Sequence, residues 1–164
     1  MKILYFGGQK SGKTSLSIKK TLEISGEKTP FYIATYLDTY NDSEMKKRIK
    51  NHQIERRDDF ITIEEGHDVF SKLEDDETYL MDCVSMWILN NMEKEEEVLR
   101  YEIQKLLKSK NNMIFILNDV SSGIIPLDKI SRRFVDLSGI IGQEIASLCD
   151  EVYQVNYGIQ RRIK

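Results

Sequence analysis

Basic excess, histidine and cysteine are all scarce in this chain, and each scarcity excludes something. Lysine and arginine number 24 against 27 acidic residues, which leaves a net charge of -3 and a pI near 5.5. Nucleic-acid binding normally shows as a clustered positive surface, and this balance offers none. The short basic groups, Lys46-Lys47-Arg48 and Arg161-Arg162 with Lys164, read instead as solvated faces or phosphate contacts. The two cysteines, Cys83 and Cys149, lie in apolar surroundings without a CxxC pairing, so both are expected to be reduced and structural. No apolar run approaches the roughly 20 residues that span a bilayer. The chain opens at once on a strand-like run and not on a signal peptide, so a cytoplasmic location is expected. Repeats, low-complexity tracts and linkers are absent.

What remains suits one domain, residues 1–164, with a full core. Hydrophobic residues make up 40% and charged residues 31%, the balance of a globular protein and not of a disordered one. Short apolar runs at residues 2–6, 31–34, 60–63, 78–81, 113–117 and 151–155 read as strands, and residues 160–163 as a last short one. Between them lie helical patterns: residues 14–24 with Leu16, Lys20 and Ile24 four apart, a polar stretch at 42–52, and one long helix after Asp82. The C-terminal half of that long helix places Leu99, Ile103, Leu106 and Leu107 on one face. A further amphipathic helix is marked by Ile130, Phe134, Leu137, Ile141, Ile145 and Leu148. The run of charge from Glu93 to Glu97 reads as a solvated helix start. Strands that are apolar along their length and alternate with helices predict an α/β fold, a mainly parallel sheet flanked by helices.

One motif carries chemistry by itself. Gly7, Gly8, Gln9, Lys10, Ser11, Gly12, Lys13 and Thr14 fit GxxxxGK[ST] between a strand and a helix. Glycines let the backbone curl round phosphate oxygens, and the N–H groups at a helix start face the anion. Lys13 is placed to reach the β- and γ-phosphates and Thr14 to offer its hydroxyl to Mg²⁺. The motif predicts a P-loop NTPase domain binding a nucleoside triphosphate, but not which reaction it runs. Asp82, closing a strand, reads either as a Mg²⁺ carboxylate or as a cap for the helix after it.

The rest of the chain resembles the bifunctional adenosylcobinamide kinase/adenosylcobinamide-phosphate guanylyltransferase family of cobalamin biosynthesis. The resemblance runs through Tyr32-Ile33-Ala34-Thr35 (YIAT), Glu44-Met45, Arg48-Ile49, His52 and Arg56 (EMxxRIxxHxxxR), and Thr62 with Glu64-Glu65 (TxEE). It continues through Asp82-Cys83, Trp87 and Asn90, the loop Gly123-Ile124-Ile125-Pro126, then Arg132, Phe134, Asp136, Gly139 and Gln143, and closes on Asp150-Glu151-Val152 and Gly158. It implies a RecA-like P-loop domain that binds GTP and ATP with Mg²⁺, acts on a corrinoid, and assembles as a homotrimer. It implies His52 as the site of covalent guanylylation, where composition alone would leave an ordinary surface histidine. It also implies nucleotide contacts from Ala34, Thr35, Tyr36, Gln53, Ile54, Glu55, Arg56, Glu64 and Asp82. Glu64 reads either as the acceptor of guanine N1–H and N2–H₂ or as a solvated strand end. His67 has no such context and reads as a loop or helix-start residue.

The chain departs from the family pattern at several points. Arg57 replaces a proline and Phe60 a tryptophan. NEVG becomes Asn118-Asp119-Val120-Ser121, Val135 replaces an arginine and Gly142 an asparagine, and the segment after Asn90-Asn91 is trimmed. Two other readings of the same P-loop stand beside this one: a one-step small-molecule kinase, in which His52 is dispensable, and a nucleotide-dependent binding protein without turnover.

Overall fold

A computed structural model describes residues 1–37, 58–120 and 122–164. Its elements are β1 (Lys2–Gly7), α1 (Lys13–Ser25), β2 (Phe31–Ala34), β3 (Ile61–Glu64), a 3₁₀ turn (Val69–Lys72), β4 (Thr78–Asp82), α2 (Val84–Asn90), α3 (Glu96–Lys108), β5 (Asn112–Asn118), α4 (Lys129–Leu148), β6 (Glu151–Asn156) and β7 (Ile159–Arg162). The strands form one sheet in the order β3-β2-β4-β5-β1-β6-β7. Every pairing is parallel except β6 with β7. One strand, β5, stands between the P-loop strand β1 and the strand that ends in Asp82, as in RecA-like sheets.

Strand periodicity of two sends alternate side chains to opposite faces. Along β5, Met113, Phe115 and Leu117 join the cluster under α2, α3 and α4, while Ile114 and Ile116 join the cluster under α1. Leu80 and Met81 divide in the same way on β4. Both faces of these central strands are therefore covered, which is why they are apolar along their length. The four residues expected on the inner face of α3, Leu99, Ile103, Leu106 and Leu107, are its buried ones.

The structure corrects several expectations. The single long helix after Asp82 is two helices. Asn91 ends the first: its side-chain amide donates to the Trp87 carbonyl (2.7 Å), which a continuing helix would use, and to the carbonyl of Gly66 in another loop (2.9 Å). On α1 the buried residues are Lys13, Ser17, Ile18 and Thr21, with Leu16 and Ile24 only half-buried at the flank. The two hydroxyls are satisfied by Lys13 and Ser17 carbonyls one turn back, at 2.6 and 2.7 Å. The α4 stripe is buried only from Leu137 to Ile145, and Ile130 in its first turn is 70% exposed. β3 begins one residue later than expected. Phe60 lies just outside it, edge-on to Tyr32 at 5.9 Å, and Ile61 faces outward. The polar helix expected at 42–52 lies outside the described residues. Both cysteines are free and buried, as expected.

Candidate functional site

In a parallel sheet the C-terminal strand ends share one edge, and ligands bind in the crevice outside it. Here that edge gathers Gly7, Ala34, Glu64, Asp82 and Asn118. The motif at residues 7–14 begins on this edge and runs into α1.

Two glycines make the loop possible. A Cβ on Gly7 would stand 2.2 Å from the Val155 carbonyl oxygen of β6, so only glycine lets β1 end against that strand. Gly12 caps α1 at φ +93°, in the left-handed region, and its α-carbon faces Gly158. The loop is closed by Ser11 N–H donating to Gly8 O (3.2 Å) and braced by Gly158 N–H donating to Ser11 O (2.7 Å). The turn between β6 and β7 thus supports the loop from outside, a role that the lone Gly158 does not announce in the sequence. Ser11 Oγ is buried without a hydrogen-bond partner among the described residues.

Lys13 is buried, and its Nζ donates to the Gly8 carbonyl at 3.0 Å. Burial pulls its pKa below the ordinary lysine value, and the negative charge of Asp82 opposes that pull. A desolvated ammonium at the start of a helix, held on a loop carbonyl, is a site prepared for phosphate. Thr14 follows on the first turn of α1, half-buried.

Asp82 ends β4, two strands from β1, and its Oδ2 accepts the Tyr32 hydroxyl at 2.5 Å. It is not the cap of α2. Cys83 holds that position, joined to Asp82 by a cis peptide bond. No group of three or more His, Cys, Asp or Glu converges to hold a metal among the described residues. One carboxylate and one hydroxyl beside a phosphate cradle match Mg²⁺, which takes few protein ligands and keeps phosphates and water.

The other expected residues divide into positioning groups and edge groups. Thr35 is fully buried, and its hydroxyl both donates to Cys83 O and accepts from Cys83 N–H, each at 2.8 Å. It therefore ties the end of β2 to the Asp82–Cys83 turn. Ala34 and Tyr36 flank it, both half-buried. Glu64 is exposed at the end of β3, four strand positions from β1, or roughly 19 Å at ordinary strand spacing. That distance keeps it from the phosphate cradle. Its neighbour Glu65 accepts from the N–H groups of His67 (2.8 Å) and Asp68 (3.1 Å), so the second acid of TxEE shapes a turn. His67 sits in that turn, as expected, and its carbonyl receives the Trp87 indole N–H at 3.0 Å.

Asn90 was singled out only through the resemblance, and its work is visible here. Its amide donates to Thr35 O (2.7 Å) and Gly66 O (3.3 Å), holding the loops after β2 and β3 together. Asn118 N–H donates to Ser85 Oγ (2.9 Å), and Asp119 N–H donates to Gly7 O (2.9 Å), so the end of β5 is pinned between α2 and the P-loop. His52, Gln53, Ile54, Glu55 and Arg56 lie outside the described residues.

Comparison with known proteins yields a consistent picture. The family model for cobinamide kinase / cobinamide phosphate guanyltransferase matches residues 3–163. The bifunctional adenosylcobalamin biosynthesis protein CobP of Pseudomonas aeruginosa is 31% identical over 176 residues, covering 100% of this chain and 98% of that protein. The bifunctional adenosylcobalamin biosynthesis protein CobU of Escherichia coli K12 is 27% identical over 186 residues and covers 100% of both chains. Among solved structures, a Pyrococcus horikoshii OT3 protein superposes with a TM-score of 0.50 at 12% identity, covering 99% of this chain and 85% of that one. That likeness shows a shared fold and nothing finer.

Proposed function

The chain belongs to the cobinamide kinase / cobinamide phosphate guanyltransferase family and is a transferase, and from that premise we propose that it phosphorylates adenosylcobinamide and then guanylylates the product through His52. The observation that carries the reading is the phosphate cradle: a motif closed between β1 and α1, with Lys13 buried inside it, in a chain matched to the family from end to end.

In the first step the hydroxyl of the aminopropanol arm attacks the γ-phosphorus of a nucleoside triphosphate. The bond from that phosphorus to the bridging oxygen breaks, and the diphosphate leaves. Catalysis of this kind is positioning and charge neutralisation. The P-loop N–H groups and Lys13 hold the phosphates in line and meet the charge that develops on them. Thr14 and Asp82 are the residues that would hold Mg²⁺, which when bound neutralises phosphate oxygens. Tyr32 fixes the rotamer of Asp82, and Thr35 fixes the turn that carries it.

In the second step a neutral imidazole nitrogen of His52 attacks the α-phosphorus of GTP and pyrophosphate leaves. A phosphate oxygen of adenosylcobinamide phosphate then attacks the same phosphorus, the P–N bond breaks, and adenosylcobinamide-GDP forms with His52 regenerated. Division into two transfers avoids bringing two polyanions together in a single displacement. Arg56 supplies positive charge four residues from His52. Gln53, Ile54 and Glu55, next to it in the chain, and Ala34, Thr35 and Tyr36 complete the nucleotide contacts. Glu64, far from the phosphates along the edge, suits the base and not the phosphate end of GTP, where its carboxylate accepts from guanine and selects it over adenine. The protein works as a homo-oligomer.

Incubation with α-³²P-labelled GTP and Mg²⁺, without corrinoid, tests this reading. The expected result is an acid-labile, base-stable labelled band on denaturing electrophoresis, absent in His52→Ala. A protein that binds GTP but takes no label rejects the guanylyl-histidine step. Lys13→Ala should lower both activities by at least about a hundredfold, and a normal rate for either would mean the P-loop is not shared.

A further inference from the structure

A hydroxyl that attacks phosphorus must lose its proton, and the P-loop contains only donors for phosphate. Among the described residues four carboxylates crowd the C-terminal edge, and their surroundings separate them. Glu65 is engaged with the amides of His67 and Asp68. Glu64 stands four strand positions from β1. Asp82 stands two positions away, receives the Tyr32 hydroxyl, and fits the metal role. Asp119 follows β5, the strand next to β1, about 5 Å away at ordinary strand spacing.

The attachment of Asp119 is unusually direct. Its backbone N–H donates to the carbonyl of Gly7, the first residue of the motif, at 2.9 Å. The preceding residue is held on two sides. Its backbone meets Ser85 Oγ at 2.9 Å and its side-chain amide meets Cys83 Sγ at 3.6 Å, both at the start of α2. The Asp119 carboxylate is half-exposed, and its Oδ2 accepts the Ser122 hydroxyl at 2.7 Å, which limits its rotation. An aspartate whose backbone is tied to the P-loop strand and whose carboxylate is oriented by a hydroxyl stands where a general base for a phosphoryl acceptor is needed.

Resting on the functional reading above, we propose that Asp119 receives the proton of the acceptor hydroxyl in the kinase step and takes no part in guanylyl transfer. As the hydroxyl oxygen bonds to the γ-phosphorus, its proton passes to the Asp119 carboxylate, the diphosphate departs with the electron pair of the broken bond, and Asp119 returns the proton to solvent. The two carboxylates next to the cradle then divide the labour, Asp82 on the metal side and Asp119 on the acceptor side. Aspartate here, where the resemblance led to an expectation of glutamate, remains long enough because the backbone tie brings it against the loop.

The test compares Asp119→Asn and Asp119→Glu with wild type in two assays on the full chain. One measures phosphorylation of adenosylcobinamide; the other measures GMP transfer from GTP to adenosylcobinamide phosphate made beforehand. Asp119→Asn should lower kcat of phosphorylation by about 100-fold or more, with KM for the nucleotide and the rate of GMP transfer unchanged. Asp119→Glu should restore most of the loss. An Asp119→Asn enzyme that phosphorylates within about threefold of wild type overturns the proposal. So does one that loses both activities or nucleotide affinity together, since that marks a structural support of the loop. A wild-type enzyme that transfers GMP but never phosphorylates removes the kinase half of the functional reading and this proposal with it, an outcome distinct from an active Asn variant.

Discussion

Lys13 brings a charge into a nearly dry position, and the consequence is measurable. Burial lowers its pKa in the free protein. Its ammonium therefore costs stability at low and neutral pH, and the cost fades as pH rises through the lowered folded value toward the unfolded one. A bound polyphosphate reverses the balance by favouring the charged form. Nucleotide binding at about pH 9, below the ordinary lysine range, should therefore take up protons. Titration calorimetry in two buffers of different ionisation enthalpy reads that uptake directly. It should grow with pH and vanish in Lys13→Ala; uptake that survives the substitution assigns the proton to another group. Gly7, Gly12 and Lys13 were legible because all three belong to one contiguous motif, although the close approach that requires Gly7 is to Val155 on β6. Thr35 and Asn90 were not legible in this sense. Their hydrogen bonds reach Cys83, 48 residues on, and Gly66, 24 residues back, and spacing along the chain carries no sign of such partners.

Helices show where local pattern suffices and where it fails. The inner face of α3 followed from periodicity because nothing interrupts it. The break before α3 did not, since Asn91 ends α2 through contacts to Gly66 in a different loop. α4 opens on Asp128, whose carboxylate accepts from Ser131 N–H at 2.8 Å. That hydrogen bond holds its pKa below the ordinary carboxylate value. A depressed acid contributes stability above its unfolded pKa and loses it as pH falls through the folded value. Asp128→Ala should thus lower Tm at neutral pH, and the difference from wild type should shrink below about pH 3. Asp128→Asn, which caps without charge, should recover most of the neutral-pH loss. A Tm difference that stays constant with pH would assign the effect to something other than this cap.

Across the whole molecule, both core clusters lean on the same strands, with neighbouring residues such as Leu80 and Met81 pointing to opposite sides. Neither helical layer can leave without exposing the sheet that supports the other. The single tryptophan, Trp87, is 1% exposed on the α2 face and reports on it alone. Its fluorescence should shift to the red on urea unfolding with the same midpoint as far-UV circular dichroism, the mark of one cooperative transition. Separate midpoints would mean that the two faces come apart independently. The same sheet sets the geometry of the site, because strand order decides which carboxylate stands beside the phosphates.

Local physics sufficed for most of the strands, the inner face of α3 and the phosphate-binding motif. An apolar run, an amphipathic period and GxxxxGK[ST] each act through residues a few positions apart. Strand order, the corrected helix break, the bracing of the loop by Gly158 and the neighbourhood of Asp119 all depend on residues distant in the chain. They were decided only when the sheet formed. Parallel pairing joins strands that are remote in sequence, so β1 lies between β5 and β6 for reasons held in the packing of both faces. The sequence by itself carried the phosphate-binding motif, and the tertiary structure decided which side chains stand beside it.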